Sequence, residues 1–116
     1  MIDRRQLLLA AAGAFTLPTR RVAAQSHPKV VVVGGGMAGA TLAKYLRLWG
    51  GGGIDVTLVE RSPAYTSCIL SSLVLTGQRR LASLRQSYDA LRERYGVRTV
   101  FDTVTEIDPV SARVRL

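Results

Sequence analysis

The chain has 116 residues, of which 47% are hydrophobic and 21% are charged, so the sequence predicts one small folded domain and excludes a disordered tail. Its formal net charge of +8 is dispersed and lacks the interleaved aromatic residues that stack on bases, so we expect no nucleic-acid binding. At this length the chain is too short for the two domains that an enzyme binding both a cofactor and a substrate usually has.

Residues 1–24 have the pattern of an export signal. The arginine pair 4–5 precedes an apolar run at 7–15, and small residues at 22–24 suit a signal peptidase. This arrangement resembles a twin-arginine signal, a route for proteins that fold around a cofactor before they cross the membrane. The apolar run is too short to span a bilayer comfortably, so we expect no stable membrane anchor. We predict a mature chain that begins near Gln25 and a periplasmic location.

The first predicted elements are a strand, a helix and a second strand. Lys29 opens a run of four valines, Val30–Val33, which is typical of a strand buried on both faces of a parallel sheet. Apolar residues at helical spacing then predict one buried helix face, made of Ala38, Leu42, Tyr45 or Leu46, and Trp49. Four glycines, Gly50–Gly53, cannot continue the helix, so the chain turns and returns as strand Asp55–Glu60.

The remainder of the chain is predicted to add a helix and three short strands. Residues 62–77 have an irregular pattern, and the apolar spacing within 81–95 favours helix over part or all of that stretch, ending at Gly96. The candidate strands after it are 97–101, 104–107 and 113–116.

This order of elements is typical of an α/β fold. Strand, helix, strand, helix, strand predicts a Rossmann-like parallel sheet, built on a βαβ unit within residues 25–116. The last two candidate strands would start a small β-meander. Because no segment follows the final candidate strand to pair with it, we expect the domain to be incomplete.

A glycine-rich turn connects the first strand to the first helix and matches the pattern glycine, any, glycine, any, any, glycine. Gly34 permits the tight turn, Gly36 lets a pyrophosphate approach the backbone, and Gly39 lets the helix pack close to the strand. The helix N-terminus, at Met37 and Ala38, would face the phosphates with unpaired N–H groups. The turn therefore predicts a dinucleotide site, for either FAD or NAD.

Glu60 supplies the acidic partner that this motif requires. It lies 21 residues after Gly39, at the end of the second strand, where a carboxylate can accept hydrogen bonds from the adenosine ribose. The carboxylate would repel a 2′-phosphate, which argues against NADP. We assign Glu60 and its neighbour Arg61 to the site, while a solvated acid at a strand end is the alternative for Glu60.

From Lys29 onward the chain resembles the flavoprotein subunit of flavocytochrome c sulfide dehydrogenase, one of the two-dinucleotide, disulfide-reductase-like flavoproteins. A cysteine eight residues after the ribose acid, followed by Leu-Ser, is the most selective part of this resemblance. The residues that carry it are 29–36, 56–60, 65–71 and 88–92.

The resemblance implies a cofactor, a partner and a reaction. In that superfamily the N-terminal unit binds FAD. In the sulfide dehydrogenase family the cysteine corresponding to Cys68 carries the flavin through a thioether. The backbone at Thr103 and Val104 would meet adenine, and a c-type cytochrome would accept the electrons. The redox cysteine pair of the family would lie beyond Leu116, so no catalytic residue is identified, and we predict no metal site. Ser72 departs from the family pattern, which has asparagine at that position.

Other interpretations of the sequence remain open. The complete protein could be a pyridine-nucleotide reductase or a quinone-linked sulfide oxidase of the same superfamily. The chain could also be a nucleotide-binding module without activity, or an inactive fragment. Cys68 could be a small buried thiol, or form a disulfide with a cysteine beyond residue 116.

Overall fold

The computed structural model describes residues 26–116. The predicted export signal, residues 1–24, lies outside the described residues and stays a prediction. No helix within 26–116 has both the length and the apolar character needed to cross a membrane.

A three-stranded parallel sheet forms the centre of the domain, with the strands in the order β1, β2, β5. Val30 of β1 pairs with Val56 of β2, and Leu58 of β2 pairs with Thr99 of β5. This arrangement confirms the predicted Rossmann-like sheet. The elements in chain order are β1 (Lys29–Val33), α1 (Met37–Trp49), β2 (Asp55–Glu60), β3 (Ala64–Thr66), α2 (Ser71–Leu75), a 3₁₀ turn (Leu81–Leu84), β4 (Arg85–Ser87), α3 (Asp89–Tyr95), β5 (Arg98–Phe101), β6 (Glu106–Asp108) and β7 (Arg113–Arg115).

Helix α1 has the predicted position but buries a different face. Ala43 is completely buried against the sheet, whereas Leu42 is 52% exposed and Trp49 is 80% exposed. The prediction is therefore wrong for Ala38, Leu42 and Trp49, whereas Leu46, a further member of the predicted face, does pack against the core. Small side chains decide the outcome, because Gly39 and Ala43 let the helix axis approach the sheet more closely than large residues would.

Strand β1 is buried on one face only, which corrects the prediction for the four valines. Val32 is buried, but Val31 and Val33 are 46% and 48% exposed. Within residues 26–116 the side chains of α1 and α3 join a single cluster on one side of the sheet, so the opposite side of β1 is open. The buried members of that cluster are Val32, Ala43, Val56, Leu58, Tyr88 and Val97.

The segment between β2 and β5 differs most from the sequence prediction. Residues 62–77, predicted to be irregular, contain β3 and the short helix α2. The predicted helix within 81–95 is interrupted, because β4 pairs antiparallel with β3 and must be extended. Only α3 is a regular helix there, and it ends at Gly96, as predicted, where φ is +65° and the N–H donates to Arg92 O at 3.1 Å.

Strands β6 and β7 correspond to the last two candidate strands and pair antiparallel, with Ile107 opposite Val114. The final strand therefore has a partner that the sequence left unassigned. Asp108 holds the turn, because its Oδ1 accepts hydrogen bonds from the N–H groups of Val110 at 2.9 Å and Ser111 at 3.2 Å. The hairpin follows directly from β5 and begins close to the carboxyl edge of the sheet.

Candidate functional site

The glycine-rich turn lies between the end of β1 and the start of α1, at the carboxyl edge of the sheet. Gly34 has φ of +93°, a conformation that favours glycine, and its N–H donates to Val59 O at 2.8 Å. A Cβ on Gly39 would overlap the carbonyl oxygen of Gly34 and lie 3.4 Å from Val32 Cγ1. The close approach of helix to turn therefore requires glycine at position 39.

The N-terminus of α1 has no side-chain cap, and the space beside it is open. No side chain caps the helix at Gly36, and its first turn contains no acidic residue. A Cβ on Gly36 would have no atom of the described residues within 4 Å, and Met37 and Ala38 are both exposed. The first N–H groups of the helix and its positive dipole end therefore suit a negatively charged ligand.

Glu60 lies beside this turn with its carboxylate held by the backbone. Its Oε2 accepts the Gly35 N–H at 2.6 Å, and its Oε1 accepts the Ser62 N–H at 3.0 Å. These bonds lower the pKa of Glu60 below its usual value of 4.5, the bond from Gly35 contributing most. The carboxylate is thus ionised near neutral pH, and each oxygen retains lone pairs that can accept further hydrogen bonds.

A groove of about 290 Å³ opens beside Glu60, where the strands of the parallel sheet end. Ligands of open α/β sheets bind outside this edge of the strands. Among the predicted site residues, the groove brings together Gly34, Glu60, Arg61 and Val104. Thr103, which the resemblance assigns to adenine together with Val104, also lines the groove. The remaining lining residues were not predicted from the sequence: Val33, Val59 and Asp102.

Asp102 is the missed residue with the clearest sequence signal. It directly follows β5, just as Glu60 ends β2, so both acids lie at the same edge of the sheet. The backbone N–H of Asp102 donates to Glu60 O at 3.1 Å. The side-chain Oδ1 of Asp102 accepts the Thr103 N–H at 2.7 Å. The position after the third parallel strand could have been selected by the same rule that selected Glu60.

Cys68 lies apart from the Glu60 groove. Its thiol is free and exposed, and its neighbours Ser67 and Ile69 line an apolar pocket of about 330 Å³ together with Met37. The predicted attachment residue is therefore on a segment that borders the first turn of α1. The interpretation of Cys68 as a buried thiol is wrong for the described residues, because the residue is exposed.

Tyr88 contacts the middle of the glycine turn, a contact between residues 53 positions apart that the sequence pattern does not reveal. Its hydroxyl donates to Gly35 O at 2.8 Å, and the residue is only 4% exposed. A Cβ on Gly35 would lie 2.6 Å from Tyr88 Cζ, so a position that the motif leaves free is restricted to glycine here. Burial, and then the charge of Glu60, raise the pKa of Tyr88 above 10.0, which keeps the hydroxyl protonated and able to donate.

A family model described as pyridine nucleotide-disulphide oxidoreductase matches residues 28–116. The sulfide dehydrogenase [flavocytochrome c] flavoprotein chain of Chlorobaculum thiosulfatiphilum is 52% identical over 46 residues, which cover 40% of this chain and 94% of that sequence. These two findings confirm the resemblance predicted from the sequence.

A solved structure shares the fold. The sulfide:quinone oxidoreductase of Aquifex aeolicus matches with a TM-score of 0.63 and 23% sequence identity, over 75% of this chain. The matched part is 20% of that protein, so the present chain spans a fraction of its length.

Proposed function

The chain belongs to the pyridine nucleotide-disulphide oxidoreductase family, and from that premise we propose that it is the FAD-binding N-terminal part of a flavin-dependent oxidoreductase acting on a sulfur substrate. One observation carries the proposal. The ionised carboxylate of Glu60 is held beside an uncapped helix N-terminus at which Gly36 leaves open space. This combination fits a ligand that has both ribose hydroxyls and a pyrophosphate.

Each part of a dinucleotide has a counterpart among the described residues. The N–H groups at the start of α1 would bind the pyrophosphate, and Glu60 would accept hydrogen bonds from the ribose hydroxyls. The groove wall at Thr103 and Val104 would hold the adenine ring. Bound FAD supplies the capacity to accept two electrons from a reduced sulfur compound and to pass them on.

We further propose that Cys68 carries the flavin through a thioether to its 8α-methyl carbon, as the resemblance implies. The exposed thiol, on a segment that borders the first turn of α1, supports this attachment. Acid precipitation of the full-length protein tests it. A yellow pellet that becomes colourless in Cys68→Ser is expected, and a wild-type pellet without flavin would refute covalent attachment.

The proposed electron acceptor is a c-type cytochrome, and the proposed location is the periplasm. The name of the Chlorobaculum relative, a flavocytochrome c flavoprotein chain, supports the first, and the twin-arginine-like pattern of residues 1–24 supports the second. Sulfide-dependent reduction of cytochrome c by the full-length protein tests the acceptor, with a soluble quinone as the competing acceptor. N-terminal sequencing of exported protein should find a chain that begins near Gln25.

A pair of matched variants of the full-length protein tests FAD binding itself, in a Cys68→Ser background in which FAD binds reversibly. Glu60→Gln keeps the size of the side chain but removes its charge, and we expect roughly tenfold weaker FAD binding, as for loss of a charge-assisted hydrogen bond. Glu93→Gln, an exposed change on α3, is the control and should bind FAD like the wild type. Equal affinity in Glu60→Gln and the control would refute the ribose role of Glu60.

A further inference from the structure

We propose that Tyr88 is a positioning residue for the cofactor, because it aims the Gly36 N–H at the place where the pyrophosphate binds. The inference rests on the proposed function and assigns a role to a residue that the dinucleotide motif does not include. Tyr88 acts through the backbone of Gly35 and does not itself contact the ligand.

Both polar groups of Gly35 are held by distant parts of the chain. Glu60 accepts the Gly35 N–H at 2.6 Å, and the Tyr88 hydroxyl donates to the Gly35 carbonyl at 2.8 Å. Gly35 is buried, so water does not compete for these groups. The middle residue of the turn is therefore fixed from two sides before a ligand arrives.

Peptide geometry passes this constraint on to the next residue. The carbonyl of Gly35 and the N–H of Gly36 belong to one planar trans peptide unit, in which the two groups point in opposite directions. The bond from Tyr88 fixes the carbonyl direction and so fixes the direction of the Gly36 N–H. Within residues 26–116 that N–H has no hydrogen-bond partner, and the space beside Gly36 is open.

Packing fixes the Tyr88 ring, so its hydroxyl can hold the Gly35 carbonyl in one direction. Its ring is part of the buried cluster on the helix side of the sheet and lies 6.1 Å from the ring of Phe101, centre to centre. Phe101 in turn pairs with Glu60 across β5 and β2. The two residues that hold Gly35 are therefore supported by the same end of the parallel sheet.

A comparison of two small ligands separates positioning from general stabilisation. ADP carries the phosphates and adenosine does not, so loss of an aimed N–H should affect ADP alone. In the flavin-free full-length protein we expect Tyr88→Phe to weaken ADP binding about tenfold, equivalent to about 1.4 kcal/mol, and to leave adenosine binding within about twofold of wild type. Tyr95→Phe is the control, because the Tyr95 hydroxyl makes no hydrogen bond within residues 26–116.

Each outcome supports the inference or overturns it. If Tyr88→Phe weakens the binding of ADP and adenosine equally, or of neither, the positioning role is overturned. The proposed function still stands in that case, provided that the wild-type protein binds FAD and ADP. A wild-type protein that binds neither ligand overturns the proposed function as well. Should Tyr88→Phe not fold, NMR of the ¹⁵N-glycine-labelled wild type decides: a downfield shift of the Gly36 N–H on addition of ADP is expected, and an unshifted resonance overturns the inference.

Discussion

Substitution of Gly36 by alanine should separate ligand binding from folding. A Cβ at this position would have no atom of the described residues within 4 Å, and the backbone has φ of −64°, which alanine adopts readily. The methyl group therefore fits the folded protein without a clash. A pyrophosphate bound at the N-terminus of α1 would clash with it, because both would occupy the same space.

The size of the effect follows from the contact that is lost. A phosphate displaced by a methyl group loses at least one charge-assisted hydrogen bond to the turn, about 1.5–3 kcal/mol. FAD binding should therefore weaken by roughly 10- to 100-fold. The free energy of unfolding of the flavin-free protein should stay the same or rise by up to about 1 kcal/mol, since alanine restricts the unfolded chain.

The first quantity is measured by titration of the flavin-free full-length protein with FAD, followed by flavin fluorescence, in a Cys68→Ser background in which FAD binds reversibly. Urea denaturation of the same protein measures the second quantity. Gly39→Ala is the contrasting variant, because its Cβ would overlap the carbonyl oxygen of Gly34. We expect Gly39→Ala to lose both stability and FAD binding. Wild-type FAD affinity in Gly36→Ala would refute the placement of the phosphates at this turn.

Three further outcomes are expected. The pKa of Glu60 is lowered below 4.5 in the folded state. Its ionised carboxylate therefore stabilises the folded protein above pH 4.5, and this stabilisation is lost as the pH falls through the folded-state pKa. Urea denaturation from about pH 3 to 7 should show this loss in the wild type and a weaker pH dependence in Glu60→Gln. Gly35→Ala would place its Cβ 2.6 Å from Tyr88 Cζ and should destabilise the protein by about 1–3 kcal/mol in the same assay, and wild-type stability would refute the clash. The Arg47 side chain donates hydrogen bonds to Tyr95 O at 2.9 Å and to Ile54 O at 2.6 Å. Arg47→Met should therefore lower the free energy of unfolding, measured by thermal denaturation, by roughly 1.5–3 kcal/mol. FAD affinity below the melting temperature should be unchanged.

The sequence predicts well what is decided locally. The run of β-branched residues located β1, and the glycine pattern located the turn at Gly34, which has positive φ. The acid at the end of the second strand located the side chain of Glu60. The helix end at Gly96 and the strands β6 and β7 were located in the same way. In each case the residue types that identify the feature lie within a few positions of it along the chain.

The failures come from contacts between residues that are distant in sequence. Apolar spacing identifies α1 but cannot show that small residues face the sheet, so Trp49 was assigned to the core and is exposed. Pairing of β3 with β4 imposes an extended conformation on Arg85–Ser87, where local spacing favours helix. Tyr88 was one more apolar residue in that helix, although its hydroxyl bonds to a glycine 53 positions earlier.

The three consecutive glycines at positions 34–36 illustrate why a motif match alone is ambiguous. Gly34 is required by its φ of +93°, and Gly35 by the ring of Tyr88, so both would be retained in a protein that had lost its ligand. Gly36 has neither constraint, and the described residues give no structural reason for glycine there. Within this run, therefore, only Gly36 reports on a ligand that approaches the backbone, which is why its substitution tests function where the other two would test folding.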